Sequence, residues 1–138
     1  MPNTQILEWK DEYSVNVKEI DEQHKELFRI INILITEVTS LQNEEKMKSI
    51  ISDLVKYKMA HFATEEKYFK EFNYDGAEDH IQKHKAFSKG LEQITQDYKD
   101  DTIGLSFAVI DYLEDWLITH LMGTDHKYIH CFNSHGLY

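Results

Sequence analysis

The sequence predicts an all-α chain folded as an antiparallel up-down-up-down four-helix bundle with an N-terminal extended arm. Three observations lead there. The one proline is Pro2, so from residue 3 onward no residue forbids helix. Four separate stretches keep apolar residues at three- and four-residue spacing. The breaks between those stretches are short, and short links make consecutive helices antiparallel neighbours.

Residues 1–20 form the expected arm, in which Tyr13-Ser14-Val15-Asn16-Val17 alternates as an extended segment lying on something else would. Asp21 is the expected N-cap of the first helix. That helix runs through His24, Leu27, Phe28, Ile31, Leu34, Ile35 and Val38 and stops near Ser40 and Asn43. The second carries Met47, Ile50, Ile51, Leu54, Tyr57, His61, Glu65, Tyr68, Phe69 and Phe72, and the turn formers of Asn73-Tyr74-Asp75-Gly76 end it. The third repeats His80, His84, Phe87, Leu91, Ile94 and Tyr98 in alternating steps of four and three. The fourth holds Val109, Ile110, Leu113, Trp116, Leu117, His120 and Leu121 and is expected to reach about Tyr128. Residues 129–138 are then a tail, with Asn133 and Gly136 as its first clear breakers. At 138 residues the chain suits one domain, with the bundle over about 21–128.

Bulk composition excludes more than it names. The formal net charge is −10, from 25 acidic and 15 basic residues, which argues against nucleic acid and against an anionic membrane surface. No apolar run is long enough to cross a bilayer, and MPNTQILEWKDEY lacks the basic start and apolar stretch of a signal peptide. A single cysteine, Cys131, makes no internal disulfide. The expectation is a soluble cytoplasmic protein.

Eight histidines are many for this length. His24 and the pair His80/His84 lie near helix starts, whereas His61 and His120 lie toward helix ends. In an up-down-up-down bundle those positions share one end. All five fall on the inward stripe, as does Glu65. One histidine in an apolar stripe is usually a hydrogen-bonded core residue. Five of them with two carboxylates at one level would be costly to bury unless something binds them, and a metal is the economical answer. A helix turns about 100° per residue, so Glu65 lies about 40° from His61 and Glu66 about 140° away, toward solvent. By the same count Asp125 is about 140° from His120. It joins the site only from another side, or if the helix deforms near Gly123-Thr124.

Seven donors exceed one ion. Imidazoles with carboxylates suit redox iron, and bundle cores commonly house two. The chain has no Glu-x-x-His, so its site is richer in histidine than the usual two-metal bundle. If Glu65 and Asp125 each bridge, five imidazoles and one bridging oxygen fill all but one position of two six-coordinate irons. The open position suits a small ligand.

These residues carry a resemblance. Trp9-x-x-x-Tyr13-Ser14-Val15, Ile20-Asp21-Glu22-Gln23-His24-Lys25, His61-Phe62-x-x-Glu65-Glu66, His80-x-x-x-His84 and His120-x-x-x-x-Asp125 together resemble the hemerythrin family, specifically the single-domain bacteriohemerythrins. The resemblance implies reversible O2 binding, as carrier, store or delivery protein, at a non-haem di-iron centre with a bridging oxo or hydroxo group. It implies that His80, His84 and His120 hold one iron, that His24 and His61 hold the other, and that Glu65 and Asp125 bridge. It also implies an O2 pocket walled by Leu27, Phe62, Trp116, Leu117 and Leu121. The expected partners are O2 and an oxygen-requiring enzyme, and the expected state is a monomer that is not an enzyme. The same ligands would serve a di-iron enzyme handling peroxide or nitric oxide, or an oxygen or redox sensor. His126, His130 and His135 match no ligand of the family and are expected as solvated tail residues, with Cys131 structural or idle.

Overall fold

The computed structural model describes residues 6–138, and the first five residues of the expected arm lie outside that range. The described residues hold helices and no strand. Helix α1 spans Lys18–Thr36, α2 Glu44–Glu71, α3 Ala77–Asp97 and α4 Thr102–Thr119. Helix α1 packs on α2 and α4, and α3 packs on the same two, which closes the four into a bundle.

Side-chain caps set two of the helix starts. The Asn43 side chain accepts from the Lys46 backbone N–H at 3.0 Å, and that of Asp101 accepts from Gly104 at 2.9 Å. Each satisfies a backbone donor that the first helical turn leaves unpaired. Close approach of α3 and α4 depends on Gly90. A methyl group there would sit 2.2 Å from the Tyr112 hydroxyl, which donates to the Phe87 carbonyl across the interface.

Helix α1 begins three residues before the expected N-cap. Asp21 lies inside its first turn, where its carboxylate accepts from the Val15 backbone N–H at 2.8 Å and the Ser14 hydroxyl at 2.5 Å. Asp21 therefore ties down the arm instead of capping the helix. The alternation over Tyr13–Val17 does bury Tyr13, Val15 and Val17, but Asp11–Tyr13 form a 3-10 turn and Asn16 takes a left-handed φ of 57°. Upstream, Trp9, Tyr13 and Phe28 meet edge to face, and Asn32 pairs reciprocally with the Leu7 backbone.

The C-terminal end differs more. Beyond Thr119 the helix does not run regularly to Tyr128. It passes through a π turn, His120–Thr124, and a 3-10 turn, Asp125–Tyr128, and then a further helix, α5, spans Ile129–Ser134. The supposed tail is thus mostly helical. Phe132 is fully buried, the Asn133 amide donates to the Asn16 carbonyl, and Gly136 at φ 84° ends the segment. Two apolar clusters result. The larger fills the bundle from Val38 and Met47 to Leu117 and Leu121, and the smaller joins Val15, Val17, Ile20, Phe69, Tyr128 and Phe132.

Because Phe132 belongs to that second core, Phe132→Ala is expected to lower unfolding free energy by roughly 3–5 kcal/mol in urea titration. A loss below 1 kcal/mol would mean that the segment is only a tail.

Candidate metal centre

All seven residues singled out from the sequence come together between the two apolar clusters. His24 comes from α1, His61 and Glu65 from α2, His80 and His84 from α3, and His120 and Asp125 from the segment after α4. The most exposed of them, His120, keeps 5% of its surface accessible. Two donor groups form: Glu65 with His80, His84 and His120, and His24 and His61 with Glu65 and Asp125. Within each, the ligand atoms lie within 4.8 Å of one another.

The carboxylates link the groups. Glu65 Oε1 lies 3.2 Å from His84 Nε2 and 3.5 Å from His61 Nε2. Asp125 Oδ1 lies 2.9 Å from His120 Nε2 and 3.1 Å from His80 Nε2, while Oδ2 lies 3.2 Å from His24 Nε2. The π turn brings Asp125 in. Its backbone N–H bonds the His120 carbonyl five residues back, so a residue at i+5 stands where an α-helix places i+4. The deformation falls where the sequence left it open, at Gly123-Thr124.

The donor set fits a cation better than it fits itself. His120 and His80 point Nε2 at Nε2 across 3.0 Å. Both nitrogens of His24, both oxygens of Glu65 and Nε2 of His84 are buried without a completed hydrogen bond. Such atoms are costly unless something pairs them. Protonation states agree. Burial, then the charges of His24 and Lys58, holds His61 well below the usual histidine range. Burial also lowers His120, against the pull of Asp125. Asp125 would be raised by burial, but the close imidazoles of His120, His24 and His80 outweigh it and keep the carboxyl well below its ordinary value. Neutral imidazoles with an ionised carboxylate are the form a metal takes.

Outer partners orient the rings, and the sequence reading missed them. Gln23 Oε1 accepts from His61 Nδ1 at 2.7 Å. Glu66 was expected in solvent. It does point away from the cluster, yet its Oε2 accepts from His84 Nδ1 at 2.8 Å. A carboxylate on the far nitrogen of a ligating histidine fixes the tautomer that leaves Nε2 free. The adjacent Glu65-Glu66 pair held that signal, since Glu66 faces α3 when Glu65 faces the cluster.

Of the five expected pocket residues, Leu27, Phe62, Leu117 and Leu121 are buried in the larger apolar cluster, with half-buried Trp116 packed against it. Phe62 stacks on His84 at 3.7 Å and Trp116 on His120 at 4.0 Å, so both lie against the three-histidine group. On the opposite side Tyr128 stacks on His80. Its hydroxyl is held well above its ordinary pKa by burial, then by the charges of Glu65 and Asp125. The tail histidines join neither donor group. His130 and His135 are exposed, but His126 is half-buried, unlike a solvated tail residue. Cys131 is half-buried, with burial raising its thiol pKa.

Lys58 was also missed, because it falls among the polar letters of α2. It is 3% exposed, and burial lowers its pKa to about 8 although Asp125 and Glu65 pull it up.

The chain matches the family described as Hemerythrin HHE cation binding domain over residues 15–131. It is 28% identical to a bacteriohemerythrin of Stenotrophomonas maltophilia (strain R551-3), over 89% of this chain and 79% of that protein. It is 29% identical to a hemerythrin-like protein of Naegleria gruberi, over 87% of this chain and 88% of that one. A myohemerythrin of Theromyzon tessulatum is 27% identical over 88% of this chain and 89% of its own.

Two predictions follow from this geometry. Inserting one alanine after Gly123 should turn Asp125 off the cluster by about 100° and lower the stoichiometry of divalent-metal titration. Deleting Gly123 should keep it, because the π turn becomes an α turn with the carboxylate at i+4. Equal stoichiometry in both variants would refute the role given to the turn. For Lys58, the folded state binds fewer protons than the unfolded state between its lowered pKa, about 8, and the ordinary lysine value of 10.5. Its stability contribution is complete above that window and is lost as pH falls to 8. At pH 7 the metal-free protein therefore bears a cost of roughly 3 kcal/mol. Lys58→Met should raise unfolding free energy at pH 7, with the gain shrinking between pH 8 and 10. A gain independent of pH would contradict this.

Proposed function

This chain belongs to the hemerythrin family, and on that premise we propose that it binds dioxygen reversibly at two non-haem irons held by His24, His61, Glu65, His80, His84, His120 and Asp125. The carrying observation is that each carboxylate reaches both histidine sets, as bridging ligands must. His80, His84 and His120 would hold one iron and His24 and His61 the other, with Glu65 and Asp125 shared between the two sets. Iron bound there would supply reversible electron donation to dioxygen.

The protein's own part is to keep that exchange reversible. Only two carboxylates balance the charge of the irons, which disfavours the fully ferric state relative to a carboxylate-rich site. Leu27, Leu117 and Leu121 line the bundle core beside the centre while Phe62 and Trp116 back His84 and His120, and this dry surround slows proton delivery to a bound ligand. Gln23 and Glu66 hold His61 and His84 in orientation. The recipient in this reading is an oxygen-requiring enzyme, and the protein is a carrier or store rather than an enzyme itself.

Anaerobic loading with ferrous iron should give two irons per chain, and the visible spectrum should return to its diferrous form over several rounds of oxygenation. Glu65→Ala should lose iron. Glu66→Ala should keep it, held about 10–100-fold more weakly. Rapid conversion to a ferric state with peroxide turnover would overturn the carrier reading in favour of a di-iron enzyme.

A further inference from the structure

Lys58 sits one turn ahead of His61 on α2, inside the bundle. Its ammonium lies 4.2 Å from the centroid of Trp116, 4.9 Å from Phe62 and 5.6 Å from Phe87. It makes no ion pair with a carboxylate among the described residues; aromatic faces carry it instead. Trp116 and Phe62 are the rings stacked on His120 and His84. The positive charge is thus one ring's distance behind two imidazoles of the centre. A pocket of about 250 Å³ opens between α2 and α3 beside it, walled by Val55, Met59, Phe87 and Leu91 with Lys58, and with exposed Glu92 also lining it.

A buried ammonium is costly, and a methionine of similar length would fill the same space without that cost. The carboxylates whose charge reaches Lys58 are Asp125 and Glu65. Metal drawn to the same two carboxylates adds positive charge beside Lys58, so a bound monoanion offsets both charges and a neutral ligand offsets neither. We propose that Lys58 is a specificity-determining residue of the di-iron centre: its buried ammonium raises the affinity for small monoanions over neutral ligands of the same size. The inference rests on the di-iron reading above. Lys58 touches neither metal nor ligand and acts through space, in a medium where a charge is felt much further than in water.

The probe is azide titrated into the iron-loaded, oxidised protein at pH 7, read from the visible spectrum, with nitric oxide on the reduced protein as the neutral comparison. Lys58→Met and Lys58→Gln should each retain two irons, raise the azide dissociation constant roughly tenfold, leave nitric oxide affinity unchanged and lower the midpoint reduction potential. Unchanged azide affinity in a variant with two irons overturns the proposal. So does an equal weakening of azide and nitric oxide, which marks a packing effect. Loss of iron from both variants overturns it too, since Lys58 would then serve assembly of the site. If the unmodified protein fails to hold two irons, the di-iron reading itself fails, and iron analysis identifies that outcome before any azide is added.

Discussion

Seven polar side chains buried at one level of a helical bundle set the terms for everything around them. Removing that many donors and acceptors from water is affordable only if their lone pairs converge on something positive. Convergence in turn requires five imidazoles in one tautomer and one orientation. The Nε2 atoms of His24, His61, His80, His84 and His120 each lie within 4 Å of a carboxylate of the cluster, and outer hydrogen bonds hold two rings from behind. Burial keeps His61 and His120 neutral, so the same dryness that makes the cluster costly also makes it ready for a cation.

The two apolar clusters have unequal tasks. The larger is an ordinary bundle core and provides most of the buried surface. The smaller is assembled from three distant pieces of chain: the arm with the start of α1, the end of α2 with the start of α3, and the stretch from Tyr128 through α5. It forms the floor of the centre through Phe69 and Tyr128, which lie against His80. Asp21, held against Ser14 and Val15, anchors the arm to the start of α1 and so also to that floor.

Much of this was legible in the sequence because a helix has one period. The stripe that set the bundle also placed five histidines inward and separated Glu65 from Glu66, and Glu65 is fully buried. What escaped has specific causes. Asp125 lies off-register in a regular helix, and only the hydrogen bond to the His120 carbonyl reveals the wider turn that restores it. Asp21 resembles an N-cap by residue type, yet its oxygens are taken by backbone and hydroxyl groups upstream. Helix α5 is short and contains the turn former Asn133, so its single buried ring gives too little periodicity to separate it from a tail. Lys58 is invisible to any pattern that counts lysine as solvent-facing, because its burial depends on three aromatic rings from three helices.

The tie between Asn133 and the Asn16 carbonyl has a mechanical consequence. A force applied at the C-terminus reaches the floor of the centre before it reaches the bundle core. Peeling α5 away would withdraw Phe132 and then Tyr128, exposing His80 to water while α1 to α4 remain packed. Opening of the donor cluster would thus precede loss of the bundle under load, and the last ten residues brace the floor of that cluster as well as the helices beside it.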